Sequence, residues 1–175
     1  MQLEKFFQDW PVYNVAAALV GDTEAQFGDQ NKVFELASVT KLLSAYAVLL
    51  AVEEGAFSLD DDARPEGATI RHLLAHAGGV SFDSREPQKA PGERRIYSSA
   101  GYEILADIVE ESTGIPFADY AREGVFEPLG MDSTEIYGSA GHGGRSTVSD
   151  LSAFAAELLS PQLLDPSTLD QAFSN

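Results

Sequence analysis

The chain has 175 residues and carries eleven Lys and Arg against 28 Asp and Glu, a formal net charge of −17. An acidic surface of that size repels phosphate backbones and anionic lipid, which disfavours nucleic acid and membrane surfaces as partners. The absence of cysteine excludes disulfides, thiolate metal sites and a cysteine nucleophile.

The first residues, Met1-Gln2-Leu3-Glu4-Lys5, lack the basic and apolar regions of a signal peptide. As written the chain reads as cytoplasmic; with a signal already removed it would read as secreted or periplasmic. Residues 12–20 are rich in Val and Ala and run into the turn pair Gly21-Asp22, which predicts a strand. Residues 25–27 and 32–34 are shorter extended segments, so a small antiparallel hairpin is expected before residue 38. A long helix then opens at Ser38, with apolar Leu42, Leu43, Ala45, Tyr46, Leu49, Leu50 and Val52 spread widely around its axis. That pattern predicts a helix buried on most sides. Gly55 ends it, and the apolar run, interrupted by Ser44 and followed by Glu53-Glu54, is too short to span a membrane.

Residues 58–65 carry three consecutive aspartates and read as a solvated polar connection. Thr69 is placed to cap a short helix over 70–76, closed by Gly78-Gly79, and residues 81–95 read as an aperiodic surface loop. A second strong helix is predicted over 101–112, with Ile104, Leu105, Ile108 and Val109 on one face and Gly114 beyond its end. Pro116 starts a third over 117–125, and Thr147 through Asp150 form a capping pattern for a last helix reaching about residue 159. No internal repeat or low-complexity segment interrupts this order.

Two local patterns carry chemistry. Ser38 and Lys41 lie three residues apart at a helix start, so a hydroxyl and an amine share one face near unpaired backbone N–H groups. A serine becomes a nucleophile when a neighbouring base takes its proton, and a desolvated amine can serve as that base. The bland alternative makes Ser38 a helix cap and Lys41 a solvated charge. Tyr97 and Ser99, just ahead of the second helix, could likewise aim a phenol and a hydroxyl into a cleft, Tyr97 to shuttle a proton and Ser99 to orient Lys41 or substrate. Their alternative roles are a buried tyrosine bonded to a carbonyl and a plain cap. With three histidines, none paired with a carboxylate at helical spacing, no metal and no cofactor are predicted.

Taken together, Phe34–Lys41 and Tyr97-Ser98-Ser99 resemble the nucleophile and second motifs of the serine β-lactamase and penicillin-binding protein superfamily, in its class C-like and esterase branch. Residues 70–79 resemble that family's "LLTHTSG" segment, residues 128–134 its "PLGM-x-x-T" segment, and residues 143–150 its "GG-x-x-ST-x-x-D" segment, all in the family's order. The resemblance implies an α+β fold of the β-lactamase/transpeptidase type: an antiparallel sheet flanked by helices, with a helical subdomain. It implies one domain over 1–175, with N-terminal strands over 1–37 and a mainly helical region over 38–160 holding both motifs. It makes Ser38 the acylated nucleophile, Lys41 and Tyr97 its proton-transfer partners, and Ser99 a substrate-binding group where the family usually has Asn. The expected substrates are β-lactams, D-alanyl-D-alanine peptides or esters. The expected activity is that of a β-lactamase, a D-Ala-D-Ala carboxypeptidase or a carboxylesterase; a non-catalytic interaction module of the same fold is the other reading. The family's third motif, Lys-Thr-Gly or His-x-Gly on a late strand, has no counterpart after Asp150; His142-Gly143-Gly144 matches by letters but sits in the wrong segment. The chain is therefore expected to be truncated at its C-terminus with an incomplete sheet, whose open edge could pair with another chain, and its activity could be impaired.

Overall fold

The computed structural model describes residues 3–174; Met1 and Gln2, which belong to the stretch inspected for a signal, and Asn175 lie outside the described residues. A short helix α1 (Glu4–Phe7) lays Phe7 on Phe27, ring centroids 5.4 Å apart. The expected hairpin is present as β1 (Ala17–Leu19) and β2 (Ala25–Phe27), antiparallel with Ala17 opposite Phe27. The strand expected over 12–20 is confined to three residues because its partner turns away at Gly28. That glycine has φ +76°, and a Cβ there would stand 2.0 Å from the Val15 carbonyl oxygen.

The extended segment expected at 32–34 forms slightly later, as β3 (Phe34–Glu35), and leaves the hairpin for a different sheet. Its partner is a late strand, β7 (Gly144–Ser146), which pairs on its other side with β6 (Glu135–Ile136). The segment read as a polar connection also needs correction. Its end forms β4 (Asp62–Ala63), paired antiparallel with β5 (Ala68–Thr69). The aspartates before it act on the chain itself: Asp60 accepts from Arg71 Nε at 2.9 Å, and Asp61 accepts from the Ser58 N–H at 2.8 Å. The described strands thus form three small antiparallel sheets, the three-stranded one in order β3-β7-β6.

Helix α2 (Thr40–Glu53) is the axis of the core. Leu43, Tyr46, Ala47, Val48, Leu49, Leu50 and Ala51 are all buried, while Leu42 stays 58% exposed on the open side. Each fully buried Leu or Val contributes about 1.5–3 kcal/mol relative to exposure, so this helix anchors the fold. Around it pack α4 (Ser99–Thr113), α5 (Phe117–Ala121) with the wider turn Arg122–Phe126 that follows it, and α6 (Val148–Leu159). Gly124 passes so close to α2 that a Cβ would sit 2.8 Å from a Leu50 methyl.

Polar groups inside the core are satisfied in long-range sets. Buried Glu157 on α6 accepts from Tyr46 Oη on α2 at 2.6 Å and from the backbone N–H of Gln162 and Leu163, each at 2.8 Å. Burial and that carboxylate together raise the Tyr46 pKa well above its ordinary value. Asp150 similarly accepts from Thr134 Oγ1 at 2.7 Å and the Ser133 N–H at 2.9 Å, tying the start of α6 to the residues ahead of β6. A further helix, α7 (Pro166–Phe173), was not anticipated, although its capping Asp165 and first-turn proline are an ordinary start signal. No helix among the described residues is long and apolar enough to cross a membrane.

Candidate functional site

The turn that presents Ser38 is tighter than the helix start expected there. Ala37 adopts φ +45°, a left-handed conformation seldom tolerated by residues other than glycine, and Ala37–Val39 form a 3₁₀ turn before α2 begins at Thr40. Strand β7 over-determines this conformation from the side. The Leu36 N–H donates to the Gly144 carbonyl at 2.9 Å, and the Gly144 N–H donates to Thr40 Oγ1 at 2.9 Å. The backbone is pinned on either side of Ser38, whose own side chain stays exposed.

Lys41, one step into α2, is not a solvated charge: it is 5% exposed. Its Nζ donates to Ser99 Oγ at 3.0 Å and to the Gly141 carbonyl at 2.7 Å. It also stands 4.6 Å from the centroid of the Tyr97 ring. Tyr97 is 45% exposed at the mouth of the site, with Phe82 stacked beside it at 6.1 Å. Hydrogen bonding from Ser38 most of all, helped by the nearby Lys41 ammonium, holds the Tyr97 phenol below its ordinary pKa against the opposing effect of burial. The structure therefore brings Ser38, Lys41, Tyr97 and Ser99 into one cluster.

Two adjacent serines divide the work at the start of α4. Ser98 is the cap, accepting from the Gly101 N–H at 2.8 Å and donating to the Ser81 carbonyl at 2.5 Å. Ser99 is thereby released from capping, and its hydroxyl accepts from Lys41. The bland reading of Ser99 as the cap is corrected by one residue.

Sequence reasoning missed the loop over 138–143. Its Ala140 carbonyl accepts from Ser44 Oγ at 2.7 Å, and its Gly141 carbonyl holds Lys41. Gly141 allows this approach because a Cβ there would lie 2.8 Å from Ser99 Cβ. The glycine density from 138 to 144 was the available signal. His142 is exposed on this loop, and Gly144 lies in β7, where it serves the Ser38 turn rather than a substrate-lining strand. His72 completes a capping box with Thr69 on α3 (Ile70–Leu74). Among the described residues no group of three or more His, Cys, Asp or Glu is arranged to hold a metal ion.

His76 is buried beneath Tyr97, its ring centroid 4.6 Å from that ring and 5.3 Å from Tyr102. Burial first, then the positive charges of Arg95 and Lys41, push its pKa down to about 4. The unfolded chain takes up this proton near pH 6.5, whereas the folded chain excludes it until about pH 4. The associated stability is complete above about pH 6.5 and is lost as pH falls toward 4, reaching about 3 kcal/mol if the group acts alone. Urea unfolding from pH 7 to pH 4 should show this loss in the parent chain. The slope should be shallower in His76→Asn, which cannot titrate; equal slopes would show that His76 contributes nothing to it.

A family profile described as Beta-lactamase matches residues 13–175. Penicillin-binding protein 4* of Bacillus subtilis is 30% identical over 140 residues, covering 61% of this chain and 31% of that protein. A beta-lactamase of Yersinia enterocolitica is 28% identical over 134 residues, covering 61% of this chain and 34% of its own length. The chain thus spans about a third of the length of these curated relatives. Among solved structures, a beta-lactamase from Mycobacterium bovis superposes with a TM-score of 0.93 at 44% identity, over 95% of this chain and 63% of that one.

Proposed function

The chain belongs to the beta-lactamase family, and from that premise we propose that it is a serine hydrolase forming an acyl-enzyme on Ser38, with Lys41 and Tyr97 as proton-transfer partners. The observation that carries this reading is a buried ammonium 4.6 Å from the ring of a tyrosine whose phenol is held below its ordinary pKa first by the exposed Ser38 and then by that ammonium.

In the proposed sequence the Tyr97–Lys41 pair takes the Ser38 proton as Oγ attacks the substrate carbonyl carbon. The new Oγ–C bond forms a tetrahedral oxyanion beside the N-terminal backbone of α2, where unpaired N–H groups favour negative charge. Collapse breaks the C–N bond of a lactam or amide, or the C–O bond of an ester, and the leaving group receives the proton held by the pair. Water then repeats the sequence in reverse on the acyl-enzyme. The lowered pKa of Tyr97 supports the phenolate as the proton acceptor. Ser99 supports this by holding Lys41 through its hydroxyl, which leaves it less able than an amide to bind substrate directly.

The substrate class follows by relationship: a β-lactam, a D-alanyl-D-alanine peptide or a simple ester. The test is incubation of the 175-residue chain with a fluorescent penicillin and, separately, with a fluorophosphonate. One adduct per chain is expected, carried on the tryptic peptide spanning residues 33–41. An adduct from the phosphonate alone selects the esterase form of the proposal. No adduct from either probe overturns it and leaves a non-catalytic binding module.

A further inference from the structure

The tyrosine on which this reading turns is set in place by a residue with no part in the proposed chemistry. The backbone N–H ahead of Tyr97, that of Ile96, donates to the His76 carbonyl at 2.8 Å. The N–H after it, that of Ser98, donates to His76 Nδ1 at 3.1 Å. Between these two bonds the imidazole packs at 4.6 Å against the Tyr97 ring, tilted by 44°. A backbone N–H can only donate, so Nδ1 must be the unprotonated nitrogen and the ring proton resides on Nε2. His76 itself sits at φ +59°, a left-handed conformation that lets its carbonyl and its ring reach the same strand of chain.

Resting on the reading of Tyr97 as a proton-transfer partner, we infer that His76 is the positioning residue of that tyrosine, holding the backbone on either side of it while its ring fixes the phenol toward Ser38 and Lys41. Beyond the clamp the segment is held by its own bonds, Ser98 capping α4 and Ser99 accepting from Lys41. The charged and titratable groups around the imidazole are Lys41, Arg95, Tyr97 and Tyr102, and none offers it a carboxylate. A neutral ring in that setting is suited to accept the Ser98 N–H and unsuited to exchange protons with the site.

Three substitutions separate positioning from plain structural support. Asparagine places Oδ1 where histidine has Nδ1 and tolerates left-handed backbone, so His76→Asn keeps the clamp. His76→Leu keeps bulk but loses the acceptor. His76→Gly accepts φ +59° without strain, also lacks the acceptor, and replaces the leucine variant if that one does not fold. The readouts are the single-turnover rate of fluorophosphonate labelling and the kcat and KM for p-nitrophenyl acetate. His76→Leu should label about 10- to 100-fold more slowly, with kcat reduced and KM little changed, since small misplacements of a reacting group cost rates of that order. His76→Asn should return to within about threefold of the parent. In a cycle with Tyr97→Phe, the double variant should be no slower than Tyr97→Phe alone, because the histidine acts through the phenol.

A parental labelling rate in His76→Leu, an asparagine variant no better than the leucine one, or losses that multiply in the double variant would each overturn the inference. If Tyr97→Phe itself labels at the parental rate, the assignment of Tyr97 fails, and the inference with it. A slow Tyr97→Phe beside a fast His76→Leu overturns the inference alone.

Discussion

Ser38→Ala is expected to remove covalent labelling entirely and to lower p-nitrophenyl ester turnover by at least about 10³-fold, the order seen when a serine nucleophile is deleted. The thermal midpoint should stay within about 2 °C of the parent, since exposed substitutions seldom move stability beyond about 0.5 kcal/mol. The contrast is what gives the experiment its force. Ser38 is exposed, and the backbone around it is held by Leu36, Thr40 and Gly144 without help from its hydroxyl. The strain at Ala37 lies in the backbone and persists in the variant. The other hydroxyl in the labelled peptide cannot take over: Thr40 is fully buried and its Oγ1 already accepts from Gly144. A Ser38→Ala protein that still carries one adduct would place the nucleophile elsewhere. One that loses both label and midpoint would make Ser38 a structural residue.

The parts of this site legible beforehand are those encoded within one turn of chain. The three-residue spacing of Ser38 and Lys41, and the apolar residues that surround α2, are local patterns, and both appear in the structure. What holds Lys41 is not local: Ser99 is 58 positions away and the Gly141 carbonyl 100 positions away. A carbonyl carries no residue-type signature, so only the density of glycines hinted at that loop. The same limit applies to β3, β6 and β7, which have two or three residues each and no alternation to read. Their pairing is imposed by the ends of α2 and α6 rather than by strand propensity. Which of the adjacent Ser98 and Ser99 would cap α4 was likewise undecidable from spacing. The Ser81 carbonyl and the His76 ring, both on distant segments, choose Ser98. The resemblance of ordered segments supplied what spacing could not, because each of those segments carries the imprint of contacts made elsewhere in the fold.

Lys41→Met is expected to slow acylation by about 10²- to 10⁴-fold, the usual contribution of a positioned proton-transfer group, and to displace the pH profile of whatever activity remains. Methionine retains the length and apolar character of the stem within α2, so the core contacts survive. The ammonium is lost, and with it the donor to the buried Ser99 hydroxyl and Gly141 carbonyl, a cost of about 1–3 kcal/mol in stability. The pH shift follows from the sign of the electrostatics. In the parent, Ser38 and the Lys41 cation both favour the Tyr97 phenolate and hold its pKa down. With the cation gone that pKa rises, so the fraction of phenolate at neutral pH falls and the rising limb of kcat/KM moves to higher pH. Lys41→Arg should not restore the rate, because the planar guanidinium cannot place donors on both acceptors in a space shaped for a compact ammonium. Measuring kcat/KM from pH 6 to pH 10 for the parent and both variants decides the matter. A methionine variant that acylates within tenfold of the parent along an unshifted profile would show that the phenol works without Lys41, and that this buried cation serves the fold alone.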